Sequence, residues 1–297
     1  MTRRDWALIA VLALLWGGAF TLIDIGLRYV PPNTLVFTRM TLAVPPLLLL
    51  LKMRGEPLPT DAKRWAMLTV LGILNVVLPF ILFYWGMTQI STGLASILNA
   101  TTPLWGVVAA HFLTADEKAT PVRVAGVVLG VAGIAVMIGV DALSGMMSGI
   151  FAQVACLIAT LCYALGSVYG RRSGQSGMTP LTIATGQVLT SAILMLPIML
   201  VTDTPWALPM PGLPFWLSAG ATALFSTSLA YYLYFQLVES AGASNSLLVT
   251  FLIPIVAILL GVGFLGETFS ANQMAGMLLI ALGLLLLDGR ILKRLHK

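Results

Sequence analysis

Charge is what this chain has least of. Asp, Glu, Lys and Arg make up 9% of its 297 residues, against roughly 25% in a soluble domain, which excludes an ordinary water-facing surface. The scarcity is also patterned. No charged residue occurs from Trp65 to Ala115, Ala142 to Gly170, Ser173 to Thr202, Thr204 to Val238, Ser240 to Gly266 or Thr268 to Leu287. A helix needs about 20 apolar residues to cross a bilayer core, so several of these stretches hold one span and two hold more. Cysteine is nearly missing as well. Cys156 and Cys162 lie six apart in one apolar stretch, on different faces of a helix, so no disulfide is expected.

Chemistry-bearing motifs are absent too. No P-loop, HExxH or GxSxG pattern occurs. An enzyme needs a convergent nucleophile and base or a carboxylate pair, and neither is visible, so no catalytic residue, metal or cofactor is expected. No carboxylate lies at mid-membrane, which disfavours an obligate proton antiporter of cationic drugs. The alternating polarity of a β-barrel is missing. No connection is long enough for the soluble domain of a receptor. The net charge of +5 does not gather into a basic patch on a folded surface, so nucleic acid is not an expected partner.

What is present is apolar: 59% of residues are hydrophobic, and mean hydropathy is +0.97. Turn signals such as Pro31-Pro32-Asn33, Gly55-Glu56-Pro57 and Ser173-Gly174-Gln175 cut the chain into ten expected spans. They lie near 6–27, 34–51, 65–87, 93–113, 121–140, 148–170, 180–201, 213–237, 244–265 and 270–288. The charged start and apolar run at the N-terminus have the look of a signal peptide, but no small-x-small cleavage site follows, and a retained first helix is expected. With the N-terminus in the cytoplasm, fourteen of the sixteen Lys and Arg residues fall on the cytoplasmic side, as the positive-inside rule requires.

The two halves repeat. Glu117 matches Glu267, Ala125 matches Ala275, Gly126 matches Gly276 and Gly133 matches Gly283, each 150 residues apart. Thr120 and Ser270 both read as N-caps, the first before Pro121 and the second in a capping box with Gln273. Five spans per unit is an odd number, so the copies enter the membrane from opposite sides. The expected fold is an all-α membrane protein of ten transmembrane helices in two inverted five-helix repeats, 1–145 and 146–297. Such repeats place a transport site near the midplane where they meet.

The ordered set Leu15-Trp16-Gly17-Gly18-Ala19-Phe20, then Arg39-x-x-Leu42-Ala43, then a Pro…Glu…Gly pattern closing each half resembles the drug/metabolite transporter superfamily, in particular its ten-helix EamA-type exporters. The resemblance covers nearly the whole chain. It implies export of small metabolites across the bacterial inner membrane, both termini cytoplasmic, and the aromatic content of the spans is similar to the aromatic amino acid exporters of that group. The halves differ where Tyr163-Ala164 stands for Trp16-Gly17 and Gln187 for Arg39.

Polar groups inside a membrane are costly and mark candidate sites, or else tie helices together. Asn75, Pro79, Phe83 and Tyr84 in span three, Asn99 and Thr102 in span four, Trp16 and its counterpart Tyr163, Ser226 and Tyr232 in span eight, and Thr250 in span nine are the expected substrate-binding residues. Pro103 and Pro254 are expected to bend spans four and nine as gates. Asp24 and Arg39, the charges well within spans, are expected to tie span one to span two, although Asp24 also stands one turn from Arg28. The function expected is export of neutral or aromatic amino acids by an uncoupled facilitator that alternates access. Its partners are a small-molecule substrate and the bilayer, with no oligomer required. A broad carrier of hydrophobic drugs or nucleotide-sugar-like solutes is the alternative, although the lack of basic residues at mid-membrane argues against highly anionic solutes.

Overall fold

A computed structural model of the protein describes residues 2–113, 120–143, 147–174, 177–241, 246 and 248–288. Among the described residues there is no strand, and ten helical rods account for the expected spans. They are α1 (Arg3–Leu27), α2 (Pro32–Arg54), α3 (Ala62–Gly86), α4 (Thr92–Leu113), α5 (Pro121–Leu143), α6 (Met147–Gly174), α7 (Pro180–Thr202), α8 (213–241), α9 (248–265) and α10 (Ala271–Asp288). Glu117, the expected start of span nine at 244 and the basic residues from Arg290 onward lie outside the described residues.

Local chemistry sets the ends of the rods. The Thr2 hydroxyl accepts from the Asp5 N–H at 3.2 Å while Asp5 accepts from the Thr2 N–H at 2.6 Å, a capping box that starts α1. The expected caps recur. Thr120 accepts from the Arg123 N–H at 3.4 Å, and Ser270 and Gln273 close a reciprocal box. Glycines in the left-handed region, Gly55 at φ 66 and Gly266 at φ 69, stop α2 and α9.

The polarity is that of a protein solvated by lipid. Val201, Phe264 and Phe112 are among the most exposed side chains, at 80%, 79% and 77%, whereas Ser96, Thr101, Thr160, Thr185 and Ser191 are fully buried. Lipid offers no hydrogen bonds, so these hydroxyls donate to carbonyls three or four residues back: Ser96 to Gly93 at 2.7 Å, Thr101 to Leu98 at 2.6 Å, Thr185 to Leu181 at 2.9 Å.

The main packing contacts keep their pattern when each helix is exchanged for the one five places along. α5 packs on α10, α2 on α7 and α4 on α9, each its own counterpart. α1 packs on α9 as α6 packs on α4; α3 on α6 as α8 on α1; α3 on α7 as α8 on α2. The chain is therefore two five-helix repeats around a pseudo-two-fold axis. The glycines of the sequence repeat lie on that axis. A Cβ on Gly133 would come 2.7 Å from the Gly276 carbonyl oxygen, and one on Gly283 would come 2.6 Å from that of Gly126. The four glycines let α5 and α10 touch backbone to backbone.

Two features of this arrangement position the site. α3 and α8 each contain a π-helical turn at equivalent heights, Ile73–Val77 and Leu224–Leu229. Such turns widen a helix and free carbonyls from the regular ladder. In α8 the Thr227 and Ser228 hydroxyls take the carbonyls five residues back, Thr222 and Ala223, at 3.1 and 3.0 Å. The second feature is a set of crossed caps. Asp203, just after α7, accepts from the Thr34 N–H of α2 at 2.6 Å. Glu56, just after α2, accepts from the hydroxyl of Thr179, the N-cap of α7. Glu267, just after α9, accepts from the Thr92 and Gly93 N–H groups of α4 at 2.6 and 3.1 Å. Each carboxylate sits at the positive end of the counterpart helix.

Candidate functional site

Where the repeats meet, a cavity of about 360 Å³ opens between α1, α2, α3, α4, α6, α8 and α9, a size within the roughly 300–1,000 Å³ of small-molecule sites. Its walls are mainly aromatic. Phe83 stacks on Tyr163 at 6.2 Å and meets the edge of Phe20 at 6.4 Å. Phe80 stacks on Tyr84 at 5.8 Å, and Trp16 meets Tyr234 at 5.5 Å. Trp16 is anchored by its indole N–H, which donates to the Ser226 carbonyl at 3.2 Å, while the Ser226 hydroxyl donates to the Leu15 carbonyl at 2.7 Å.

The cavity brings together Trp16, Asn75, Phe83, Tyr84, Asn99, Thr102, Tyr163, Ser226 and Thr250 of the expected set. It also takes in Phe20, Phe80, Tyr231, Tyr234 and Ser246, which stand outside that set. Pro79 and Tyr232 are not among the lining residues. Pro79 is buried just beyond the π turn of α3, where the widened turn moves the Asn75 carbonyl away from the proline ring. Tyr232 faces the N-terminal end of the bundle, with the Arg54 guanidinium 5.3 Å above its ring.

The polar lining falls into two groups. Some side chains are already engaged. Asn75 donates to Gln187 of α7 at 3.3 Å, and its oxygen fills the space above Gly166, where a Cβ would come within 2.0 Å. Thr102 donates to the Asn99 carbonyl at 2.7 Å. That carbonyl is the one Pro103 leaves without a helical donor, so the freed acceptor is taken inside α4. There α4 breaks, its two parts being Thr92–Asn99 and Thr102–Leu113, whereas Leu248–Leu260 of α9 runs unbroken through Pro254. The Asn99 amide and the Tyr163 hydroxyl form the second group. They line the cavity with no hydrogen-bond partner among the described residues.

The expected tie between Asp24 and Arg39 is corrected. Asp24 pairs with Arg28 one turn along, at 2.6 Å, because a neighbour on the same helix is reached without crossing the bundle. Arg39 instead reaches from α2 into the cavity wall. Its Nε donates to the Thr227 hydroxyl at 3.0 Å and its Nη1 to the Tyr84 hydroxyl at 2.9 Å. Nη2 makes a longer contact of 3.5 Å with the Ser226 carbonyl. The guanidinium lies 4.7 Å above the Phe80 ring. Among the described residues, Arg39 is the one charged residue lining the cavity.

Comparison with known proteins agrees with this architecture. The EamA-like transporter family matches the chain twice, over residues 6–139 and 150–287. Protein PecM of Dickeya dadantii (strain 3937) is 26% identical over 292 residues, 97% of this chain and 93% of that one. The uncharacterized inner membrane transporter YedA of Escherichia coli (strain K12) is 28% identical over 268 residues, 87% and 82% of the two chains. The uncharacterized transporter YvbV of Bacillus subtilis (strain 168) is 29% identical over 287 residues, 96% and 92%. A solved crystal structure superposes with a TM-score of 0.68 over 95% of this chain and 96% of its own at 20% identity, a shared fold.

Proposed function

Because the chain belongs to the EamA-like transporter family through both of its halves, we propose that the cavity between them is its transport site and that it exports small amphipathic metabolites, neutral or aromatic amino acids foremost. The observation that carries this is the lining itself. Phe20, Phe80, Phe83 and Tyr163 suit an apolar side chain, and the unengaged Asn99 amide and Tyr163 hydroxyl supply neutral hydrogen bonds.

Export by an uncoupled facilitator fits the same lining, since no carboxylate is among the described lining residues to carry a proton. Alternating access follows from two near-equivalent halves, each able to open the cavity toward one side. Pro103 and Pro254 are assigned the bending points, and the broken α4 beside the continuous α9 is the asymmetry expected of one gate set differently from the other.

The test is efflux of labelled phenylalanine from proteoliposomes of the purified protein. Saturable efflux of similar rate with and without a pH gradient is expected. Efflux only under a gradient would overturn the uncoupled mechanism, and no efflux above empty vesicles for phenylalanine, tryptophan or leucine would overturn the substrate assignment.

The distribution of Lys and Arg supports an orientation with the N-terminus in the cytoplasm, and the likeness to an inner membrane transporter of Escherichia coli supports a bacterial inner membrane location. In whole cells, Arg54→Cys is expected to be shielded from an impermeant thiol reagent, while Met210→Cys, at a position 86% exposed between α7 and α8, is expected to label. The reverse pattern refutes the orientation.

A further inference from the structure

Arg39 carries a charge that its structural role does not need. The internal repeat supplies the comparison. In one half, Arg39 of α2 reaches the π turn of α8 through Thr227. In the other, Gln187 of α7 reaches the π turn of α3 through Asn75. The two ties join equivalent helix pairs, α2 with α8 and α7 with α3, and one of them is made by a neutral amide. Keeping a guanidinium at the first position buries a cation at 6% exposure, and no carboxylate is paired with it among the described residues. A buried charge without a counter-charge is costly and marks function within a membrane.

The geometry also leaves the guanidinium part-used. Of its five N–H donors, three are taken by Thr227, Tyr84 and the distant Ser226 carbonyl. Two, one on each terminal nitrogen, have no acceptor among the described residues. The plane is held over Phe80, and Phe80 is itself stacked on Tyr84. An arginine fixed in this way presents a preset fork, the geometry that recognises a carboxylate.

We propose that Arg39 is the anchor for a substrate carboxylate, and that the cavity selects monocarboxylates with an apolar or aromatic body. This deepens the transport reading and rests on the cavity being the transport site. One cation among the described lining residues balances one negative charge, so dicarboxylates and phosphate esters are disfavoured. The described lining holds no carboxylate for an ammonium group, so an α-amino group is tolerated and is not what the site selects. The apolar body packs among Phe20, Phe83 and Tyr163.

The test measures binding to the purified full-length protein by calorimetry, with 3-phenylpropionate, phenylalanine, phenylalaninamide and phenethylamine as probes. Wild type is expected to bind both carboxylates about tenfold or more tighter than the amide and the amine, the worth of a charge-assisted hydrogen bond. Arg39→Gln is expected to remove that preference by weakening both carboxylates, with the cationic amide and amine bound no more weakly than before, because a like charge has been removed from the wall. Arg39→Lys, which keeps the charge and loses the fork, is expected to weaken both carboxylates several-fold and to leave the amine unchanged. It decides the matter if Arg39→Gln fails to fold. Equal affinity for acid and amide in wild type, no binding of either carboxylate, or an equal loss for acid and amine in the Lys variant would each overturn the proposal. Selective carboxylate binding without phenylalanine efflux from proteoliposomes would instead overturn the transport reading and leave the anchor standing.

Discussion

Gly133→Leu and Gly283→Leu are each expected to leave little folded protein. Both positions lie where α5 crosses α10, and the first atom of any side chain would meet backbone: 2.7 Å from the Gly276 oxygen in one case, 2.6 Å from the Gly126 oxygen in the other. A flexible neighbour could swing aside, but a carbonyl cannot move without its helix. Overpacking a tight contact costs about 1–3 kcal/mol, and more when backbone must shift, against a total stability of roughly 5–15 kcal/mol. In lipid there is no hydrophobic drive to re-pair the helices once they part. Gly106, where a Cβ would have nothing within 4 Å, is the control. Size-exclusion profiles and thermal unfolding of detergent-extracted variants should show loss at Gly133 and Gly283 and a near-native Gly106→Leu. Native-like profiles for the seam variants would mean that α5 and α10 do not pack through these glycines.

Glu267→Ala is expected to change the access of the cavity more than the stability of the bundle. The carboxylate leaves α9 at Gly266 and accepts from two N–H groups at the start of α4. These bonds are charge-assisted and lie at the positive end of a helix. They link the two counterpart helices, one from each half, that flank the cavity through Asn99 and Thr250. Losing such a tie costs about 1.5–3 kcal/mol. If it holds the α4–α9 contact closed on that face, the population open there rises on the order of tenfold or more, since 1.4 kcal/mol is a factor of ten. The readout is the labelling rate of Asn99→Cys from each side of the membrane. Glu267→Ala should raise labelling from the Glu267 side, and Glu267→Gln, which keeps one acceptor, should fall between. Pro103→Ala and Pro254→Ala in the same background should bias labelling in opposite senses. Unchanged labelling in Glu267→Ala would show that the cap is not part of a gate.

The rods were legible because lipid imposes a simple demand: about 20 apolar residues between polar turns. The axis was legible because Gly126, Gly133, Gly276 and Gly283 keep one spacing in both halves, and only glycine permits that approach. The site was readable in part. Trp16, Asn99 and Tyr163 are costly groups in apolar runs, and all line the cavity. The π turns left no signal. Pro79 accompanies the one in α3, but no proline marks the one in α8. That gap explains the misplaced tyrosine. The extra residue of Leu224–Leu229 rotates the rest of α8 relative to a regular 3.6-residue helix, so Tyr231 and Tyr234 line the cavity while Tyr232 turns to Arg54. Arg39 was misread for a different reason. Asp24 is the obvious partner along the chain, whereas Thr227, 188 residues away, reaches it through tertiary packing alone.

The glycine seam has an evolutionary corollary. A helix that packs on its own counterpart about a two-fold axis makes an isologous contact, the kind two identical subunits make. The fifth helix of either half therefore carries both sides of the interface that joins them. A half-length ancestor inserted into the membrane in both orientations would have met its own glycine face and closed the same seam as a dimer. Fusion then fixes one copy each way up and releases the halves to diverge. The charge at Arg39 and the amide at Gln187 are a divergence of this kind: a symmetric pair of duties, one of which was free to acquire a second.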